Sequence, residues 1–301
     1  MQNKKLLGNL LLTLTALIWG TAFVFQRVGM DHIEPITFTG ARFWLAAAEV
    51  GVVARVSALR GRGGGEHCPE SAERRRNTIL GGVLCGVFLG VASVFQQMGL
   101  VYTTAGKAGF ITAMYILIVP VLSFLLFRRR SGWLVWCAVA IGVVGMYLLC
   151  VTEGFRLTHG DTLVCICAVL FSGHILCCDH FANRGDPLGI SAIQFLTTAV
   201  LTTTAALILE QPTWDKVLSA ALPIAYCGLI SGGLGYTLQI VAQKFTDPTV
   251  ASLLMSLESV FAVIAGALLL HETMTTRELL GCVIMFAAIV LVQLPSPKKE
   301  S

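Results

Sequence analysis

Residues 249–272 read TVASLLMSLESVFAVIAGALLLHE, a run of apolar and small residues broken by one carboxylate, Glu258. The hydrocarbon core of a bilayer is roughly 30 Å thick and needs about 20 apolar residues of helix, so a helix over 248–270 is long enough to cross it. Nine further runs of this kind, bounded by charges, Pro or Gly, lie near 6–27, 35–56, 78–101, 105–127, 132–151, 160–181, 188–209, 217–242 and 276–294. The composition agrees. Hydrophobic residues make up 55% of the chain and mean hydropathy is +0.78. Charged residues reach 13%, about half the roughly 25% of a soluble domain. So little charge cannot cover a water-facing surface, which excludes a soluble fold, disorder, collagen and a coiled coil. The predicted class is an all-α integral membrane protein of ten transmembrane helices. The first run follows Lys4 and Lys5, yet it is too long for a signal-peptide core and no small-x-small cleavage site follows it.

Lys and Arg fix the expected orientation. With the N-terminus on the cytoplasmic side, that side collects fifteen of them, from Lys4 and Lys5 through Arg74, Arg75 and Arg76 to Lys298 and Lys299. The other side keeps five: Arg27, Lys107, Arg156, Lys216 and Arg277. The positive-inside bias therefore predicts a multi-pass protein of the cytoplasmic membrane with both termini inside. A basic, Gly-rich loop at about 57–77 reads as a solvated tether. The net charge of +4 does not point to nucleic acid, because basic residues fill short gaps and form no stripe.

Sliding the chain on itself reveals a weak internal repeat. A shift of 152 places Glu34-Pro35 over Asp186-Pro187 and Phe43 over Phe195. A shift of 143 places Gly90 over Gly233, Gln96 over Gln239 and Ala108 over Ala251. Two halves, 1–151 and 152–301, then hold five helices each. Because five is odd, the second half enters the membrane from the opposite side, an inverted-topology repeat of the kind found in secondary transporters.

With LIWGTAFVFQR at 17–27, EPITFTGARF at 34–43, YTTAGKAGFIT at 102–112 and the run at 249–272, the chain resembles the EamA-like branch of the drug/metabolite transporter superfamily. The resemblance covers nearly the whole chain. It departs from the family at Ser259, where Pro is usual, at His271, where Gly is usual, and at Arg128, Arg129 and Arg130, which replace a Gly-Glu. It implies a ten-helix secondary carrier in the cytoplasmic membrane, often an exporter of amino acids or other small metabolites, with a cavity between the halves.

A polar group in hydrocarbon costs several kcal/mol unless paired or wet, so the intramembrane polar residues form the short list for function. Glu258 falls near the midplane, as a proton acceptor or amine partner, or as a carboxyl satisfied by neighbouring helices. Arg42 suits a substrate carboxylate, since guanidinium binds it bidentately, or holds another helix. Glu49, seven residues on, lies too far along the axis for a direct pair. Gln96 and Gln239 read as cavity lining able to bind a zwitterion, or as bridges between helices. Trp19, Tyr115 and Tyr236 read as cavity walls or packing, and Lys107 as an anion attractor or a snorkelling lysine. His174 reads as a cavity or proton-relay residue. Cys167, His174 and Cys178 share one face of the sixth helix, but without CxxC or paired Cys/His spacing they predict no metal site. Neither a catalytic grouping nor a cofactor is expected.

The expected partners are a small-molecule substrate and membrane lipid, and a monomer suffices. The expected activity is alternating access about a midplane cavity, with Glu258 available to couple protons. A passive channel is one alternative, predicting unsaturable flux through a continuous polar pore. A membrane enzyme or scaffold is another.

Overall fold

The structure, a computed structural model, describes residues 2–61, 71–128, 132–150, 158–246 and 248–293. Among the described residues every regular element is helical. The order begins α1 (Gln2–Gly29), α2 (Pro35–Gly61), α3 (Ala72–Leu100), α4 (Ala105–Thr112), α5 (Tyr115–Phe127) and α6 (Trp133–Cys150). It continues with α7 (His159–Ala182), α8 (Pro187–Leu209), the short α9 (Trp214–Ser219) and α10 (Ala221–Ala225), and a π-helical segment (Tyr226–Tyr236). The chain closes with α11 (Thr237–Gln243), α12 (Pro248–Met255), α13 (Glu258–Leu269) and α14 (Thr276–Gln293). Among the described residues, seven spans, taking α4 with α5 and 221–243 as one each, are long and apolar enough to cross a membrane, and Trp133–Gly145 and Glu258–Leu269 are shorter apolar helices.

The helices are apolar on the outside. On α8 the exposed face carries Leu196, Val200, Leu207 and Ile208, while the buried face carries Gln194, Thr198 and Thr202. That is the reverse of a water-soluble helix and fits lipid outside with polar contacts inside. Trp133 and Trp214, at the starts of α6 and α9, are strongly exposed, as interfacial anchors are. The most extensive packing pairs elements from opposite sides of residue 151: α6 on α14, α3 on α7 and α8, α2 on α8, and α1 and α4 on α13. Glycines let these backbones meet, as the Gly82, Gly86 and Gly90 spacing predicts. A Cβ on Gly86 would stand 2.6 Å from Thr197 Cβ, and one on Gly228 would stand 2.6 Å from the Arg42 carbonyl oxygen.

Three predicted helices differ in detail. The run at 105–127 is interrupted at Ala113–Met114 and the run at 248–270 at Ser256–Leu257. There the backbone tightens to three-residue hydrogen bonds, with Ile116 N donating to Ala113 O at 3.0 Å and Ser259 N to Ser256 O at 3.1 Å. The Ser259 hydroxyl also donates to Ser256 O at 2.7 Å, drawing that carbonyl out of the ladder. The run at 217–242 is not one helix: α9, α10, the π segment and α11 share it. The π segment holds four of the glycines, whose low helix propensity and missing side chains let it widen against α2 and α1. The tether predicted at 57–77 is shorter than expected. α2 runs to Gly61 and α3 starts at Ala72, where Ser71 Oγ caps Arg74 N at 3.2 Å; 62–70 lie outside the described residues.

Among the described residues, two non-glycine residues have positive φ, Arg128 at 53° and His271 at 54°. Both follow the last turn of an interrupted span, and they stand 143 residues apart. His271 takes the left-handed conformation just past the end of α13, and Glu272 N then turns back to donate to Gly266 O at 3.2 Å. This accounts for the glycine usual there: a left-handed residue with a Cβ costs about 1–2 kcal/mol. His271→Gly is therefore expected to stabilise the fold by up to about 1 kcal/mol, seen as a higher midpoint in thermal melts in detergent; an unchanged or lower midpoint would contradict it.

Candidate functional site

The two interruptions meet at one buried cleft. Tyr115 and Glu258 are the first residues after them, at the starts of α5 and α13, and both line the cleft. They stand 143 apart, the same offset as Gln96 and Gln239, which also line it. Trp19 comes from α1, Arg42 from α2 and His174 from α7, so these seven of the residues singled out in the sequence border the same space, while Glu49 and Lys107 do not. Seven others join them: Phe23, Gln26, Thr112, Phe171, Ile175, Ser231 and Tyr236. Of these, the sequence had drawn attention to Tyr236 alone. Gln26 sits seven residues after Trp19 on the same face of α1, a signal that could have found it.

The cleft is narrow. Its empty space amounts to about 450 Å³, of which about 30 Å³ can hold the centre of a water molecule, room for about two waters at ~10–15 Å³ each. Its walls are aromatic: Trp19 and Tyr236 have ring centroids 4.6 Å apart, and Trp19 Nε1 donates to Ser231 O in the π segment at 3.1 Å.

Several buried polar atoms in the cleft have no hydrogen-bond partner in the protein. These are Arg42 Nε, Gln26 Oε1 and both amide atoms of Gln239, while the Tyr115 hydroxyl and the Glu258 carboxyl face each other. Arg42 is 4% exposed and Glu258 3%. The Arg42 guanidinium lies 5.0 Å from the Phe43 ring centroid and 5.7 Å from that of Phe38, a partial compensation for a buried cation. Gln96 Nε2 donates to Thr112 Oγ1 at 3.1 Å, and His174 Nε2 lies 3.1 Å from Gln194 Oε1. An orphaned buried polar atom costs about 1–3 kcal/mol, so the concentration of such atoms in one cleft marks a place suited to a polar ligand.

The EamA-like transporter family model matches residues 6–151 and again 158–294. The chain belongs to the EamA-like transporter family. An "Uncharacterized transporter" of Archaeoglobus fulgidus is similar to this transporter, 26% identical over 291 residues that cover 97% of this chain and 87% of the relative. The "Uncharacterized inner membrane transporter YedA" of Escherichia coli is 24% identical over 288 residues, covering 92% and 88%. A crystal structure shares the fold with a TM-score of 0.70 at 18% identity, covering 97% of this chain and 96% of the other.

At one end of this EamA-like transporter, charged contacts tie elements from either side of residue 151. Glu34 pairs with Lys216, and that ammonium holds the Glu34 carboxyl below its usual range. The pair contributes fully above the ordinary carboxylate range and is lost as pH falls through the lowered value. Glu210 accepts from Ile36 N at 2.9 Å and from Thr37 N at 2.7 Å. Glu272 accepts from Ala105 N at 2.9 Å and Gly106 N at 3.2 Å. Each carboxylate thus sits on the N-terminus of a partner helix, where backbone donors and the helix dipole favour negative charge. Lys107 Nζ lies 2.8 Å from the buried Asp161 Oδ2, so the predicted anion attractor or snorkelling lysine is instead an ion-paired one. The opposite end is basic, with a groove lined by Arg74, Arg184 and Lys244 beside Glu73. Gln97 and Gln243 bond the carbonyls of Gln26 and Ile175 and bridge helices.

Glu272→Gln is expected to weaken two charge-assisted bonds worth ~1.5–3 kcal/mol each, and so to speed amide exchange at 105–107 about tenfold or more. Hydrogen–deuterium exchange with peptide resolution checks it. Unchanged protection would mean that the carboxylate does not hold α4.

Proposed function

We propose that the protein is a secondary active carrier for a small zwitterionic metabolite such as an amino acid, working by alternating access and exporting it with Glu258 as the proton-coupling group. Two inverted five-helix halves, 1–151 and 152–301, make up its ten crossings and rock about the cleft, with both termini in the cytoplasm. The observation that carries this reading is the cleft itself, where a buried guanidinium and a buried carboxyl face one space beside unpaired amides. A carboxylate on Arg42 and an ammonium on Glu258 or a Gln oxygen would satisfy them together. Interrupted helices flanking a midplane site are what carriers of inverted-repeat design use. The latched end holds Glu34, Asp161, Glu210 and Glu272, while the opposite end is rich in Arg and Lys, which favours that opposite end as cytoplasmic.

The test is flux in liposomes. Purified protein under an imposed pH gradient is expected to drive saturable movement of at least one member of an amino-acid and metabolite pool. Unsaturable flux indifferent to the gradient would mean a facilitator, and no flux from correctly folded protein would remove the carrier reading.

A further inference from the structure

Behind the wall of the cleft, α3 and α7 bring two thiols and an imidazole together. Potential ligand atoms of Cys85, His174 and Cys178 all lie within 4.8 Å of one another, and all three residues are buried. Cys85 Sγ is 3.7 Å from Cys178 Sγ, and Cys178 Sγ is 3.5 Å from His174 Nε2. A tetrahedral zinc ion with bonds of about 2.3 Å to sulfur and 2.0–2.1 Å to nitrogen sets its ligands ~3.8 Å (S···S) and ~3.6 Å (S···N) apart. The two separations given match these spacings. Gln194 Oε1, 3.1 Å from His174 Nε2 and part of a buried side chain, is available as a fourth ligand. The triad differs from the one-helix face visible in the sequence. Cys85 replaces Cys167, because α3 crosses α7 there.

We propose that Cys85, Cys178, His174 and the Gln194 amide oxygen form an intramembrane zinc site. Charge decides between the two soft d¹⁰ cations such ligands favour. Zn²⁺ with two thiolates and a neutral imidazole is a neutral complex, whereas Cu⁺ would leave a net negative charge in hydrocarbon, where uncompensated charge is costly. Binding releases the two thiol protons. His174 lines the cleft, so the ion has an approach from the aqueous side of the site. The site pins α3 to α7, two elements on opposite sides of residue 151, and needs no assumption about the transported solute.

The test uses the full chain in detergent, reduced and stripped of metal, titrated with Co²⁺ and then with Zn²⁺. One Co²⁺ per chain with a thiolate-to-cobalt charge-transfer band, displaced by Zn²⁺, is expected. The band should vanish in Cys85→Ser and in Cys178→Ser and persist in Cys167→Ser, and Gln194→Leu should weaken binding about 10–100-fold. A measurement without variants guards against misfolding: native mass spectrometry of the unaltered protein after Zn²⁺ addition should show one ion per chain bound with the loss of two protons. Absence of the band together with no such bound ion would overturn the site. So would a band retained in both serine variants, or thiols that pair as a disulfide and take up no metal after reduction.

Discussion

Glu258→Gln is expected to abolish flux driven by a pH gradient while solute exchange at equal pH continues. The carboxyl is 3% exposed, it faces the Tyr115 hydroxyl, and it heads α13 on the wall of the cleft. Glutamine keeps the volume and the hydrogen-bonding shape but cannot carry a proton between the two openings. Because the substitution also removes an ionisable group from hydrocarbon, the fold should be no less stable. Gradient-driven uptake and counterflow, measured side by side in liposomes, separate the two functions. Gradient-driven flux should fall to the level of protein-free vesicles. Full pH-driven transport by the variant would remove Glu258 from coupling, and loss of both activities in a well-folded variant would make it a binding group only.

Arg42→Gln is expected to move affinity and stability in opposite directions. A charged hydrogen-bond partner is worth ~1.5–3 kcal/mol, so the half-saturating concentration of a carboxylate-bearing substrate should rise about 10–150-fold. The thermal midpoint should rise or hold, since a cation that is 4% exposed is exchanged for a neutral amide. An arginine that merely braces helices would give the reverse, a drop in midpoint with little change in affinity. Arg42→Lys keeps the charge but not the planar fork, and should recover only part of the affinity. Kinetic titration beside a thermal melt distinguishes these outcomes.

The membrane class and the seven cleft residues could be read from sequence for one physical reason. Hydrocarbon tolerates so few polar groups that Arg42 and Glu258 stand out against their surroundings, and such groups turn inward. What could not be read depends on partners far away in the chain. Ser256 and Leu257 carry no breaker such as Pro, so the interruption before Glu258 is invisible in the sequence, although the Ser259 hydroxyl accompanies it on Ser256 O. Glu210 and Glu272 look like ordinary loop charges until the fold sets them on the first turns of α2 and α4. Cys85 shows the same limit, for its neighbours on α7 lie some ninety positions later. The glycines at 228–235 are compatible with an ordinary packed helix, and only their contacts with α1 and α2 reveal the wider winding.

That winding bears on how the span tolerates changes of length. An α-helix turns about 100° per residue, so the wide turns of 226–236 hold a residue that a regular helix of the same rise would not need. Deleting one glycine there would let the segment rewind as a regular helix with Gln239 still facing the cleft, whereas a deletion in a regular stretch such as α3 would turn everything beyond it by about 100° and carry Gln96 off the cleft. The wide turns are thus the place in the bundle where the chain can lose a residue without re-aiming the side chains of the solute site.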